Sequence, residues 1–115
     1  MENLQEFMLL FRMEPSNEEP TAEQLQEMGQ QWGTFIGTIA IQGKLVSTHQ
    51  LGFEGVQVNP DHQTQGGFVI ANQQMIAGNM VLKAESIEVA TEWAKKCPIL
   101  FMGGTVEVRN VMPMN

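Results

Sequence analysis

The chain has 115 residues, with 13 acidic side chains against 6 basic ones, a formal net charge of -7, 43% hydrophobic residues and 17% charged ones. That balance argues against intrinsic disorder, and it argues against a nucleic-acid partner, because phosphates would be repelled and no basic run exceeds Lys95-Lys96. One domain spanning residues 1–115 is expected, burying roughly two thirds of its unfolded surface. The lone cysteine, Cys97, forbids an intrachain disulfide and agrees with a reducing compartment.

In chain order, the first apolar run is Phe7-Met-Leu-Leu-Phe11, which is too short for a signal-peptide core or a membrane span, so a cytoplasmic protein with no membrane partner is expected. Phe7, Leu9 and Phe11 alternate with Met8 and Leu10, the pattern of a strand buried on both faces. Residues Met13 to Pro20 are acidic and proline-punctuated and read as a loop. Thr21 with Gln24 forms a capping box that starts a helix, Leu25, Met28, Trp32, Phe35, Ile36 and Ile39 form its apolar stripe, and Gly43 stops it. Gly29, Gly33 and Gly37 recur every four residues beside that stripe. Each costs on the order of 1 kcal/mol in an exposed helix, so a close approach to the sheet or a neighbouring element is expected there, with a ligand groove as the alternative.

Between Lys44 and Lys83 short strands are punctuated by turn formers, at Leu51-Gly-Phe53, Gly55 to Val58, Phe68 to Ala71 and Met75 to Lys83, with a turn at Asn59-Pro-Asp61. Ser86 caps a second helix whose inner stripe is Ile87, Ala90, Trp93, Ala94 and Cys97, and Pro98 ends it. Thr105 to Met112 reads as a closing strand. The order of strand, helix, several strands, helix and strand predicts an α+β fold, ferredoxin-like, with two helices on one face of a largely antiparallel sheet. No third helix remains for the opposite face, and a second subunit is expected to cover it.

The segment Glu92-Trp-Ala-Lys-Lys-Cys-Pro98, followed by Gly103-Gly104 and Val106-Glu-Val-Arg109 and Val111, resembles the closing segment of the YCII-related, or DGPF-domain, family. The resemblance implies a homodimer in which two sheets meet as an α+β barrel. It also places the family's namesake tetrapeptide at Thr64-Gln65-Gly66-Gly67-Phe68. Gly66 and Phe68 fit, whereas Gln65 stands where the family has aspartate and Gly67 where it has proline, so a role resting on that acid is not carried over. Some relatives carry a histidine at the start of the first helix, paired with an aspartate; here that place holds Thr21-Ala-Glu-Gln24.

Several residues could carry chemistry. His62 lies in a solvated turn, whereas His49, before the expected strand Leu51 to Phe53, could serve as a general base or contact a bound carboxylate, or simply be a hydrogen-bonded edge residue. On the closing strand, alternation sends Thr105, Glu107, Arg109 and Val111 to one face and Val106, Val108, Asn110 and Met112 to the other. The valines suit the helix-packed core, so Glu107 and Arg109, joined by Arg12, face the expected dimer partner, either as a structural ion pair or as an anion-binding lining. Arg109 is expected to be shielded from bulk water there. Cys97, at a helix end where the dipole raises a thiol pKa, reads as a small buried hydrophobe, and Met102, Met112 and Met114 line a cavity or fill the interface. No metal-ligand cluster, phosphate loop or serine triad is present in the sequence, and no cofactor is expected.

The expected function is a small-molecule-binding domain, regulatory in character, whose pocket between sheet and dimer partner is lined by Arg12, His49, Phe68, Glu107 and Arg109 and takes a small acidic or aromatic ligand. Two alternatives stand beside it. One is a cofactor-independent enzyme of the lyase, isomerase or monooxygenase type with His49 as base and Arg109 as anion stabiliser. The other is a protein-interaction module linked to transcription regulation, since some family members are encoded beside alternative sigma factors.

Overall fold

The computed structural model describes residues 3–15 and 19–113. Its elements are β1 (Gln5–Met13), α1 (Ala22–Ile41), β2 (Leu45–Gln50), β3 (Val56–Val58), β4 (Thr64–Gly66), β5 (Ile70–Ala71), β6 (Gln74–Ala84), α2 (Ile87–Ala94), a short 3₁₀ helix (Pro98–Met102) and β7 (Thr105–Asn110). The main sheet runs β2-β6-β1-β7 and is antiparallel throughout, with β5 paired to the start of β6. This is the α+β plan that the sequence predicts.

Both helices cover the same face. Phe7, Leu9 and Phe11 of β1 and Met80, Leu82 and Ala84 of β6 are buried with Phe35 and Ile39 of α1 and Ala90 and Ala94 of α2. Burying each of these large apolar side chains contributes about 1.5–3 kcal/mol. Trp32 stands edge-on between Phe11 and Phe35, with centroid distances of 5.3 and 5.9 Å. The start of α1 is set as expected: Thr21 Oγ1 accepts from the Gln24 amide and the Gln24 side chain accepts from the Thr21 amide. Gly43, with φ of 70°, turns the chain out of the helix.

Several expectations change. Leu51 to Phe53 is not a strand; the partner of β6 comes earlier, as β2, and places His49 within a strand. Of Phe68 to Ala71, only Ile70 and Ala71 pair. Leu25, at the N-terminal end of the α1 stripe, is 55% exposed. The glycine row makes no close approach, because a Cβ at Gly29, Gly33 or Gly37 would meet nothing within 4 Å. Among the described residues nothing packs against the row; Gly29 alone borders an open cavity between α1 and the sheet, which is the groove alternative at that one position.

Strands β3 and β4 form a separate two-stranded sheet, an arm whose Val56 and Val58 are mostly exposed. Phe53 and Phe68 touch where the arm joins the body, at 6.0 Å between ring centroids. The radius of gyration, 15.9 Å, exceeds the roughly 13 Å of a compact chain of this length.

Candidate functional site

The register fixes what stands on the face of the sheet away from the helices. Met8 pairs with Val81 and Arg109, Leu10 with Asn79 and Glu107, and Arg12 with Ile76 and Thr105. Paired residues share a face, so the alternation read on β7 holds and Glu107 and Arg109 stand beside Arg12. Arg12 Nη1 donates to Glu107 Oε1 at 2.6 Å, and Arg109 Nη1 lies 3.7 Å from Glu107 Oε2. One carboxylate therefore sits between two guanidiniums. The Arg12 and Glu107 side chains are 29% and 41% exposed, while that of Arg109 is 68% exposed, so its own chain does not supply the shielding expected for Arg109.

His49, opposite Asn79 in the β2–β6 register, is on this face too. Its Nδ1 lies 3.1 Å from Asn79 Oδ1. An amide oxygen only accepts, so Nδ1 is the donor, and in the neutral ring the lone pair is then on Nε2. Phe68, the fifth expected site residue, sits on the return leg of the arm against Phe53 and Gly55. His62, with φ of 69°, is in the exposed turn between β3 and β4.

A cavity of ligand size lies on the other side of the sheet, under the N-terminal half of α1. It holds about 420 Å³ between Phe11, Met13, Trp32 and Ile36, with Met28 from α1 and Met102 from the 3₁₀ helix on its walls. Thr48 to Gln50, in β2, supply its polar edge, so His49 belongs to a strand that contributes to both the cavity and the open face. A bulge in β6 shapes the floor: Phe11 pairs with Gly78 and Arg12 with Ile76, leaving Ala77 extra, and Ala77 and Gly78 both line the cavity. Gly78 has no room for a side chain, since a Cβ would come within 2.5 Å of the His49 carbonyl oxygen. The sequence reading missed this cavity because it depends on how far Leu25 and Met28 stand off the sheet. Its signals were the row of Trp32, Ile36 and the methionines, which is indistinguishable from ordinary core, and the glycine row read alternatively as a ligand groove, of which Gly29 lines the cavity.

The closing motif is mostly scaffold. Trp93 carries the Lys96 ammonium 5.0 Å from its ring centroid. Cys97 caps the 3₁₀ helix that Pro98 opens, and it is fully buried. Burial pushes its thiol up to about 11, against a smaller lowering by the backbone contact at Ile99, so desolvation is the main reason it stays neutral. Gly103 takes the left-handed turn with φ of 82° that ends the 3₁₀ helix, and Gly104 packs so tightly that a Cβ would lie 2.5 Å from the Arg12 carbonyl oxygen. Of the methionines expected at a cavity or interface, Met102 lines the cavity, Met112 is 75% exposed, and Met114 lies outside the described residues. Among the described residues no group of three or more His, Cys, Asp or Glu side chains could hold a metal, and no helix is long and apolar enough to cross a membrane.

Comparison with curated proteins returned no match. The family model for the YCII-related domain matches residues 6–115, nearly the whole chain, and with the closing motif built into the fold as described, the protein belongs to the YCII-related family.

Proposed function

We propose that the protein is a small-molecule-binding domain that works as a homodimer, with the cavity beneath α1 as its ligand site. The observation that carries this reading is the cavity itself: about 420 Å³, walled by aromatic, aliphatic and thioether groups, with hydrogen-bonding capacity confined to the β2 edge. Binding sites for small organic molecules have this composition and size. A compact, largely apolar molecule with one polar end fits, the polar end meeting Thr48 to Gln50 and the apolar part meeting Trp32. The Arg12-Glu107-Arg109 cluster, on the opposite face, then belongs to the dimer contact. Support for the dimer comes from half-buried Met8, Leu10 and Val81 on a sheet face that no helix covers, and from the apolar arm.

A thermal-shift screen of small aromatic and aliphatic acids, followed by the indole resonances in NMR spectra, tests the site. Binding raises the melting temperature with the logarithm of ligand concentration above Kd and moves the Trp32 indole signal, and Met28→Trp, which fills the cavity, abolishes both effects. A ligand that protects Met28→Trp as well as the wild type overturns the assignment.

A second reading, a cofactor-independent enzyme, rests on the His49-Asn79 contact, which leaves Nε2 as a free base on an oriented imidazole. Any turnover found in the same screen should then disappear in His49→Gln. Persistence of turnover in that variant removes His49 from the chemistry.

A further inference from the structure

Register decides which side chains of β2 reach the cavity beneath α1. Met80, opposite Thr48, is fully buried, and Gly78, opposite Gln50, pairs on its other side with the buried Phe11. Paired residues share a face, so Thr48 and Gln50 stand on the helix-covered side, while His49 between them turns its ring to Asn79 on the other. His49 therefore meets the cavity with its backbone. Because Gly78 has no side chain, the row Phe11-Gly78-Gln50 is open in the middle, and the Gln50 carboxamide borders the cavity floor.

Donors and acceptors are unbalanced at this edge. Thr48 Oγ1 donates to the Asn79 carbonyl at 3.1 Å, so its single proton is spent and its remaining capacity is to accept. Among the described residues no group bonds the Gln50 carboxamide, which offers N–H donors on Nε2 and an acceptor in Oε1. Lys, Arg, Asp and Glu are absent from the described lining. The side chains of the polar edge thus present two acceptors, Thr48 Oγ1 and Gln50 Oε1, beside one donor group, Gln50 Nε2, without a cation.

From this arrangement we propose that the ligand's polar end is a carboxamide held by Gln50, an inference that rests on the cavity being the ligand site. A primary amide carries N–H donors and a carbonyl acceptor side by side, so it pairs reciprocally with Gln50 and has a second N–H for Thr48. A carboxylate only accepts. It meets two acceptors in a chain of net charge -7, with no lining cation to offset them. An ester leaves both acceptors unmatched. Acids still enter through their apolar bodies, and the amide of the same body is the better fit.

Titration of the Trp32 indole resonance with 3-phenylpropanamide, methyl 3-phenylpropanoate and 3-phenylpropanoate at neutral pH tests it. The ester is the most apolar of the three, so a cavity without polar selection would bind it the tightest. The expected order is instead amide first, no weaker than the ester and about fivefold or more ahead of the carboxylate, since one net hydrogen bond is worth about a factor of five. Gln50→Leu keeps the size and removes both hydrogen-bonding groups. It should lower the amide-to-ester affinity ratio about fivefold or more, with a smaller drop in Thr48→Val. Met28→Trp should abolish binding of all three. An ester or carboxylate that outbinds the amide, or a ratio that Gln50→Leu leaves in place while Met28→Trp still blocks the cavity, overturns the amide assignment alone. Amide binding that survives Met28→Trp overturns the cavity as well.

Discussion

Arg12 and Glu107, 95 residues apart in the chain, meet at 2.6 Å on neighbouring strands, and the same carboxylate lies 3.7 Å from Arg109. Strand register alone sets this, since Arg12 pairs with Thr105 and Glu107 is two residues further along the same face of β7. In an open protomer with such partial exposure, the pair contributes about 1 kcal/mol or less. Covered by a second copy, it becomes a buried network whose disruption costs about 3 kcal/mol, because Arg12→Met leaves Glu107 with its weaker partner only. We expect the larger loss in urea unfolding at protein concentrations where the dimer persists, and the smaller on dilution.

The dimer itself has a direct test. Sedimentation at micromolar concentration should give about twice the 12.8 kDa chain mass. Val81→Lys, a charge placed on the uncovered face opposite Met8, should return the mass to that of one chain while the far-ultraviolet circular dichroism is retained. A monomeric wild type rejects the barrel arrangement.

The glycines predict effects of opposite sign. Gly104→Ala drives a Cβ to 2.5 Å from the Arg12 carbonyl and 2.7 Å from the Ile99 side chain, and should destabilise the protein by about 3 kcal/mol. Gly33→Ala meets nothing within 4 Å on an exposed helix flank and should stabilise it by about 1 kcal/mol. Chemical denaturation of the two variants checks both. A destabilised Gly33→Ala would mean that another chain packs against that flank.

Cys97 should be inert in the native state. Its thiol is fully buried and its pKa is pushed up to about 11 by desolvation, so a disulfide reagent at pH 8 should react only on unfolding. The sign of the pH effect follows. The folded pKa lies above the 9.0 of an unfolded thiol, so this stability is intact below about pH 9 and lost as the pH rises towards 11, on the order of 2 kcal/mol by the upper limit. Cys97→Ala should remove the part of the alkaline loss that this thiol causes.

Local chemistry made much of the fold readable in advance. The Thr21 capping box, the Gly43 stop and the two-residue alternation on β1 and β7 are short-range constraints, and each operates in the structure as its residues dictate, whereas the second helix ends at Ala94, before Cys97, and Pro98 opens a 3₁₀ helix instead of ending it. The same alternation was enough to put Arg12, Glu107 and Arg109 on one face. What the sequence could not determine is what depends on distances between elements. Whether the α1 glycines touch a neighbour, how far Leu25 and Met28 stand off the sheet, and that a bulge at Ala77 hollows its floor are settled by packing, which has no fixed period along the chain. The cavity beneath α1 is a product of that packing, since its wall joins Phe11 of β1, Trp32 of α1, Ala77 of β6 and Met102 of the 3₁₀ helix, which share no spacing in sequence.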